Sequence, residues 1–178
     1  MIIRPILPED VPATLEIYKY YVENTSVTFD IEVPSLKEFL DKIEAIRHQF
    51  PWLLCLHDNK IIGYAHASKH RIKSAYKWSV ESTVYVAQDF HRKGVASLLY
   101  ESLFDSLRRQ GFYNVYAGIS LPNDSSEAFH KSIGFELVGT YIKIGYKQGE
   151  WHDVRWFQLA LSEHNDDPKD PIFFNELK

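Results

Sequence analysis

The sequence predicts a mixed α/β fold of the α+β kind, with a mostly antiparallel sheet carrying helices on both faces. Three observations point to it. Strand-like and helical segments alternate along the chain. Two apolar runs, Trp52 to His57 and Lys60 to His70, are joined by Asp58-Asn59, a pair suited to a tight hairpin. A third strand-like run, Ser79 to Val86, feeds a short basic turn containing Gly94 and then an amphipathic helix. With 178 residues and 45% apolar content the chain suits one domain. That domain is expected over residues 1–161, followed by a tail over 162–178.

In order, Ile2 to Ile6 reads as an opening strand, and Pro8-Glu9-Asp10 begins a helix whose apolar residues Val11, Leu15, Tyr18 and Val22 recur at helical spacing until Asn24 to Ser26 ends it. Val27 to Val33 reads as a strand or a loop over an acceptor site. Ser35 and Glu38 form a capping box that opens a helix with Leu36, Phe39, Leu40 and Ile43, closed before Pro51. After the hairpin and the Ser79 strand, a helix from Gly94 to Gln110 places Val95, Leu98, Leu99 and Leu103 on one face and stops at Gly111. The strand Asn114 to Ile119 follows. Asp124 or Ser125 is expected to cap a short helix that Gly134 ends. Phe135 to Ile144 and Trp151 to Leu161 then pair around Gly145 to Gly149.

A formal charge of −4 argues against a general nucleic-acid binder, which needs a net basic face to displace counterions. Cys55 is the single cysteine, so an intrachain disulfide and a cysteine-rich zinc site are excluded. His66 and His70 share a strand face without an evident third ligand, so no metal is expected. The start of the chain lacks the apolar core of a signal peptide and no run reaches membrane-spanning length, so a soluble, cytoplasmic protein without a membrane partner is expected.

The turn His91-Arg92-Lys93-Gly94-Val95-Ala96 is a built-in anion seat. Gly94 and Ala96 lack bulk, so backbone N–H groups approach a diphosphate at the positive end of a helix, and Arg92 and Lys93 add charge there. Neither the dinucleotide pattern G-x-G-x-x-G nor the P-loop pattern is present around Gly94. The segment resembles motif A of the GNAT acetyltransferase superfamily, Q/R-x-x-G-x-G/A after a strand, with His91 where the motif has Gln or Arg. Tyr76-Lys77-Trp78 before E-S-T-V-Y-V, L-P-N-D at 121–124, His130 in H-K-S-I-G-F and W-H-D-V at 151–154 together resemble the phosphinothricin and methionine sulfoximine N-acetyltransferase branch. The likeness runs from Ile2 to Leu161.

The resemblance implies a GNAT fold in which the strand before Gly94 and the strand at Asn114 splay apart, with acetyl-CoA in the cleft. Coenzyme A would then be a product, and the acceptor a small-molecule amine of amino-acid type. Acetyl transfer needs a neutral amine, a stabilised oxyanion and a proton for the thiolate. Glu81 matches the family's proposed general base; a structural reading pairs it with Lys77 or Arg71. His130 matches a branch histidine that orients substrate or relays a proton, and Tyr141 or Tyr146 are alternatives for the thiolate proton. The backbone of Thr83 to Val86, thus Val84, Tyr85 and Val86, is expected to hold the pantetheine arm as an added strand. The seat of His91, Arg92, Lys93, Gly94, Val95, Ala96 and Ser97 is expected to hold the diphosphate, with Asn123 a further cofactor contact. For the acceptor, Arg71 and Lys73 offer charge, Phe29, Tyr76 and Trp78 offer walls, and Thr83 lies beside them. Other readings remain: a protein N-terminal or polyamine acetyltransferase, or an acyl-CoA sensor without turnover. A homodimer is expected, with aromatic C-terminal strands as apolar surface.

Overall fold

The hairpin turn forms as expected in the computed structural model, with Asp58 and Asn59 at φ 48° and 60° between β2 (Trp52–His57) and β3 (Lys60–Lys69). The structure describes residues 1–177; Lys178, the last residue of the expected tail, lies outside the described residues. The remaining strands are β1 (Ile2–Pro5), β4 (Ser79–Val86), β5 (Asn114–Ser120), β6 (Glu136–Lys147) and β7 (Glu150–Ala160). They form one sheet in the order β1-β2-β3-β4-β5-β7-β6, antiparallel throughout except for the β4–β5 pair.

Helices α1 (Val11–Asn24) and α2 (Leu36–Arg47) cover one face, and α3 (Val95–Gln110) and α4 (Asp124–Ser132) the other. The Ser35–Glu38 capping box opens α2, with the Ser35 N–H donating to the Glu38 carboxylate at 2.8 Å. Val11, Tyr18, Val22, Phe39 and Ile43 seat α1 and α2 on Trp52, Leu54, Tyr64 and Tyr85. On the opposite face α3 buries Val95, Leu99, Tyr100, Leu103, Phe104 and Leu107.

Of the strand or loop expected for residues 27–33, the loop forms, because Tyr18, Thr28 and Asp30 hydrogen-bond among themselves instead of entering a ladder. Several boundaries differ from expectation. Leu98 is exposed, and Tyr100 and Phe104 take its place in the buried stripe. Asn123 caps α4, its Oδ1 accepting from the Ser126 N–H at 3.2 Å. The β6–β7 turn is Gln148-Gly149, both at positive φ, so Gly145 lies inside β6. The tail packs back on the body: the Ile172 N–H donates to the Gln110 carbonyl, the Phe174 N–H to Gln49 and the Trp78 indole to Lys169.

Candidate active site

Strands β4 and β5 pair only at Ser79/Asn114, Val80/Val115 and Glu81/Tyr116. Beyond Glu81 they diverge, because β5 stays in register with β7 as far as Ser120 while β4 follows β3. Between them lies a cavity of about 270 Å³ lined by Thr28, Phe29, Ser82 to Tyr85, Tyr100, Ala117 to Ser120, Asn123, Ser126 and His130. The Ala87 N–H donates to Ile62 on β3, so by strand alternation the backbone of Ser82, Val84 and Val86 faces the gap. The Val86 carbonyl already accepts from the Tyr21 hydroxyl at 2.6 Å and lies 3.0 Å from His91 Nε2. Val84 lies past the last β4–β5 pair, Glu81/Tyr116, and is left with an open strand edge.

His130 and Tyr100 meet on the cavity wall. His130 Nδ1–H donates to the Ser126 carbonyl one helical turn earlier at 2.7 Å, which leaves Nε2 of the neutral ring as an acceptor. The Tyr100 hydroxyl sits 3.3 Å from that nitrogen, and the Ser82 hydroxyl donates to Tyr100 at 3.3 Å. Burial holds His130 below its ordinary value and Tyr100 above its own, so the pair is a neutral base beside a protonated phenol. Helix α4 is clamped by Glu127, both of whose carboxylate oxygens accept from Arg155 Nη1 at 2.8 Å.

At the C-terminal end of β4, Arg92 and Gly94 adopt positive φ, and Gly94 at 79° is the N-cap of α3. The N–H groups of Val95, Ala96 and Ser97 belong to the first turn, which has no intrahelical acceptors for them. Among the described residues, Arg92 and Lys93 have no carboxylate within ion-pair distance. This open strand edge with an unpaired amide cradle fits an extended ligand that ends in phosphates.

The α1–α2 face carries the other charged groups. Glu81 accepts from His70 Nδ1 at 2.9 Å and lies 3.4 Å from Arg71 Nη1. His70 stacks on Tyr116 with ring centroids 4.4 Å apart. Phe29 lies over Gly145, where a Cβ would meet its ring at 2.3 Å, and buried Lys147 donates to the Thr28 carbonyl at 2.8 Å.

Residues 3–156 match the model of the acetyltransferase (GNAT) domain. The chain belongs to the GNAT acetyltransferase family. It is 39% identical over 156 residues to a phosphinothricin N-acetyltransferase of Streptomyces viridochromogenes, covering 88% of this chain and 85% of that one. It is 31% identical to an L-methionine sulfoximine/L-methionine sulfone acetyltransferase of Salmonella typhimurium, covering 92% and 96%. A crystal structure of a GNAT superfamily phosphinothricin acetyltransferase from Sinorhizobium meliloti in complex with acetyl-CoA superposes with a TM-score of 0.89 at 28% identity, covering 97% of each chain. The family uses acetyl-CoA, and this chain is an N-acetyltransferase.

Of the residues expected from sequence in this GNAT chain, the cavity brings together Phe29, Thr83, Val84, Tyr85, Asn123 and His130. Val86 and His91 to Ser97 lie beyond it toward the α3 N-terminus. Asn123 spends its Oδ1 on the α4 cap, leaving the amide nitrogen for a ligand. Glu81 lies outside the cavity wall, partnered by His70 and Arg71, whereas Lys77 pairs with Asp170. Arg71, Lys73 and Tyr76 sit on an exposed loop off the wall, and Trp78 faces the tail. Tyr141 and Tyr146 are exposed on the edge strand β6. The sequence reading missed Tyr100 and Ser82. A tyrosine inside the apolar stripe of α3 was the available signal, since a buried phenol seeks a polar partner.

Proposed function

We propose that this GNAT enzyme acetylates the amino group of a small amino-acid-like acceptor, of the phosphinothricin or methionine sulfoximine type, by direct transfer in a ternary complex. The observation that carries the reading is the small cavity between the splayed strands, roofed by Phe29 and ending on the Tyr100–His130 pair. The names of the relatives support the acceptor class.

Acetyl-CoA supplies a thioester, activated for attack by an amine. Val84 N–H, on the open strand edge, donates to the oxygen that becomes anionic. Glu81, hydrogen-bonded to His70 and lying beside Arg71, takes the proton of the acceptor ammonium through water. The Tyr100 hydroxyl, oriented by His130 Nε2, gives its proton to the leaving thiolate as the carbon–sulfur bond breaks and regains one from the nitrogen that becomes the amide.

The assembly is a homodimer through the outer edge of β6, where Leu137, Val138, Ile142 and Ile144 are all more than half exposed beside Trp151 on β7. The setting is the cytoplasm, in keeping with one buried, unpaired Cys55. Thiol release from acetyl-CoA with phosphinothricin, methionine sulfoximine, ordinary amino acids, polyamines and short peptides tests the acceptor. Selective turnover of the two analogues, lost in Glu81→Gln, is expected. Turnover of polyamines or peptides alone, or acetyl-CoA binding without turnover, overturns the reading.

A further inference from the structure

A second cavity, of about 230 Å³, lies on the α1–α2 side of the sheet and shares Thr28, Thr83 and Tyr85 with the first. Its walls are aromatic, from Tyr18, Phe39, Trp52 and Tyr64, yet it also holds polar groups left unmatched by the protein. The Trp52 indole N–H is buried and has no hydrogen-bond partner among the described residues. His66 stacks on Trp52 with centroids 4.1 Å apart, and its one polar contact is a long one, 3.4 Å from Nδ1 to the Ala67 carbonyl. At the mouth stand Asp30 and Lys42. Asp30 accepts a hydrogen bond from the Tyr18 hydroxyl and feels the charge of Lys147, whereas among the described residues Lys42 has no carboxylate within ion-pair distance and rests over the Tyr18 ring at 5.6 Å. The charge of Lys42 reaches His66, where it adds to burial in keeping the imidazole neutral. The cavity therefore offers unused donors and one unmatched positive charge, a set that calls for acceptor oxygens.

We infer that this second cavity binds the α-carboxylate of the acceptor, with Lys42 as its counter-ion and the Trp52 indole N–H as a hydrogen-bond donor. The inference rests on the amino-acid reading above and says where that acid group goes. An α-carboxylate is bonded to the carbon that bears the reacting amine, so it must lie beside the point of transfer. Thr83, on the wall common to both cavities, marks that point. The exposed loop of Arg71, Lys73 and Tyr76 is outside both cavities and suits only a second, distal acidic group several bonds away.

The test compares phosphinothricin with its decarboxylated analogue, 3-aminopropyl(methyl)phosphinate, on the wild-type enzyme, Lys42→Gln and Lys42→Arg. Lys42 is exposed, so folding is not at stake. Wild type is expected to favour the amino acid. In Lys42→Gln its KM rises about tenfold or more, as for loss of a charge-assisted hydrogen bond, while the KM of the analogue and of acetyl-CoA hold. Lys42→Arg restores most of the preference. Equal use of both amines by wild type, or an unchanged preference in Lys42→Gln, overturns the assignment alone. Wild type that acetylates neither amine overturns the amino-acid reading and the assignment together.

Discussion

Phe29 occupies the space that a side chain at position 145 would fill. A Cβ built on Gly145 falls 2.3 Å from Phe29 Cε2 and 2.6 Å from two further ring atoms, so the α1–α2 loop closes on the sheet only because that residue is glycine. Gly145→Ala is expected to lower kcat/KM for the acceptor by about ten- to a hundredfold through displacement of the ring, with acetyl-CoA affinity retained. In a Phe29→Ala background the same change should add little, because the clash is gone. Additive effects in steady-state kinetics of the four proteins would show that the two residues act separately.

Tyr100→Phe removes the hydroxyl between Ser82 and His130. The expected loss is about a hundred- to a thousandfold in kcat, with calorimetric affinity for acetyl-CoA kept. Wild-type turnover would move the proton donation to another group.

Stability should fall in mild acid. Burial, aided by the charge of Lys42, pushes His66 down to about 3, and burial also lowers His130 from its ordinary 6.5. Below about pH 6.5 the unfolded chain takes up a proton at each site before the folded chain does, so stability rises with pH through that window and is fully present only above it. Asp10, held low by its hydrogen bond with Arg4, adds a loss as pH falls through its folded value. Urea midpoints measured from about pH 7 to about pH 4 are expected to decrease, and His66→Phe to flatten the slope by about 1.4 kcal/mol per pH unit. An unchanged slope would place the sensitivity elsewhere.

Gln110 fastens the tail. Its side-chain nitrogen donates to the Gln49 and Ile172 carbonyls, both at 2.8 Å. Gln110→Met removes both bonds and leaves the Ile172 carbonyl without that donor, while the Gln49 carbonyl keeps the Phe174 N–H, and a loss of about 1–3 kcal/mol is expected together with faster proteolysis of the tail. Protection equal to wild type would mean that the packing of Phe174 alone holds the segment.

Features set by neighbouring residues are legible along the chain. The Asp58-Asn59 hairpin, the Ser35–Glu38 box, the glycine stops and the basic turn before α3 came out where their local chemistry put them, and the chain's motifs indicated the family. Long-range packing sets the remainder: where β4 leaves β5, that Tyr100 of α3 meets His130 of α4, that Phe29 lies on Gly145, and that the tail returns to Gln110. Glu81 illustrates the division, since its place on a strand was legible, whereas its pairing with His70 depended on the β3–β4 register and on a loop. Periodicity and capping record interactions a few residues apart; contacts such as Tyr100 with His130, 30 positions apart, form only when packing of the two faces brings distant elements together.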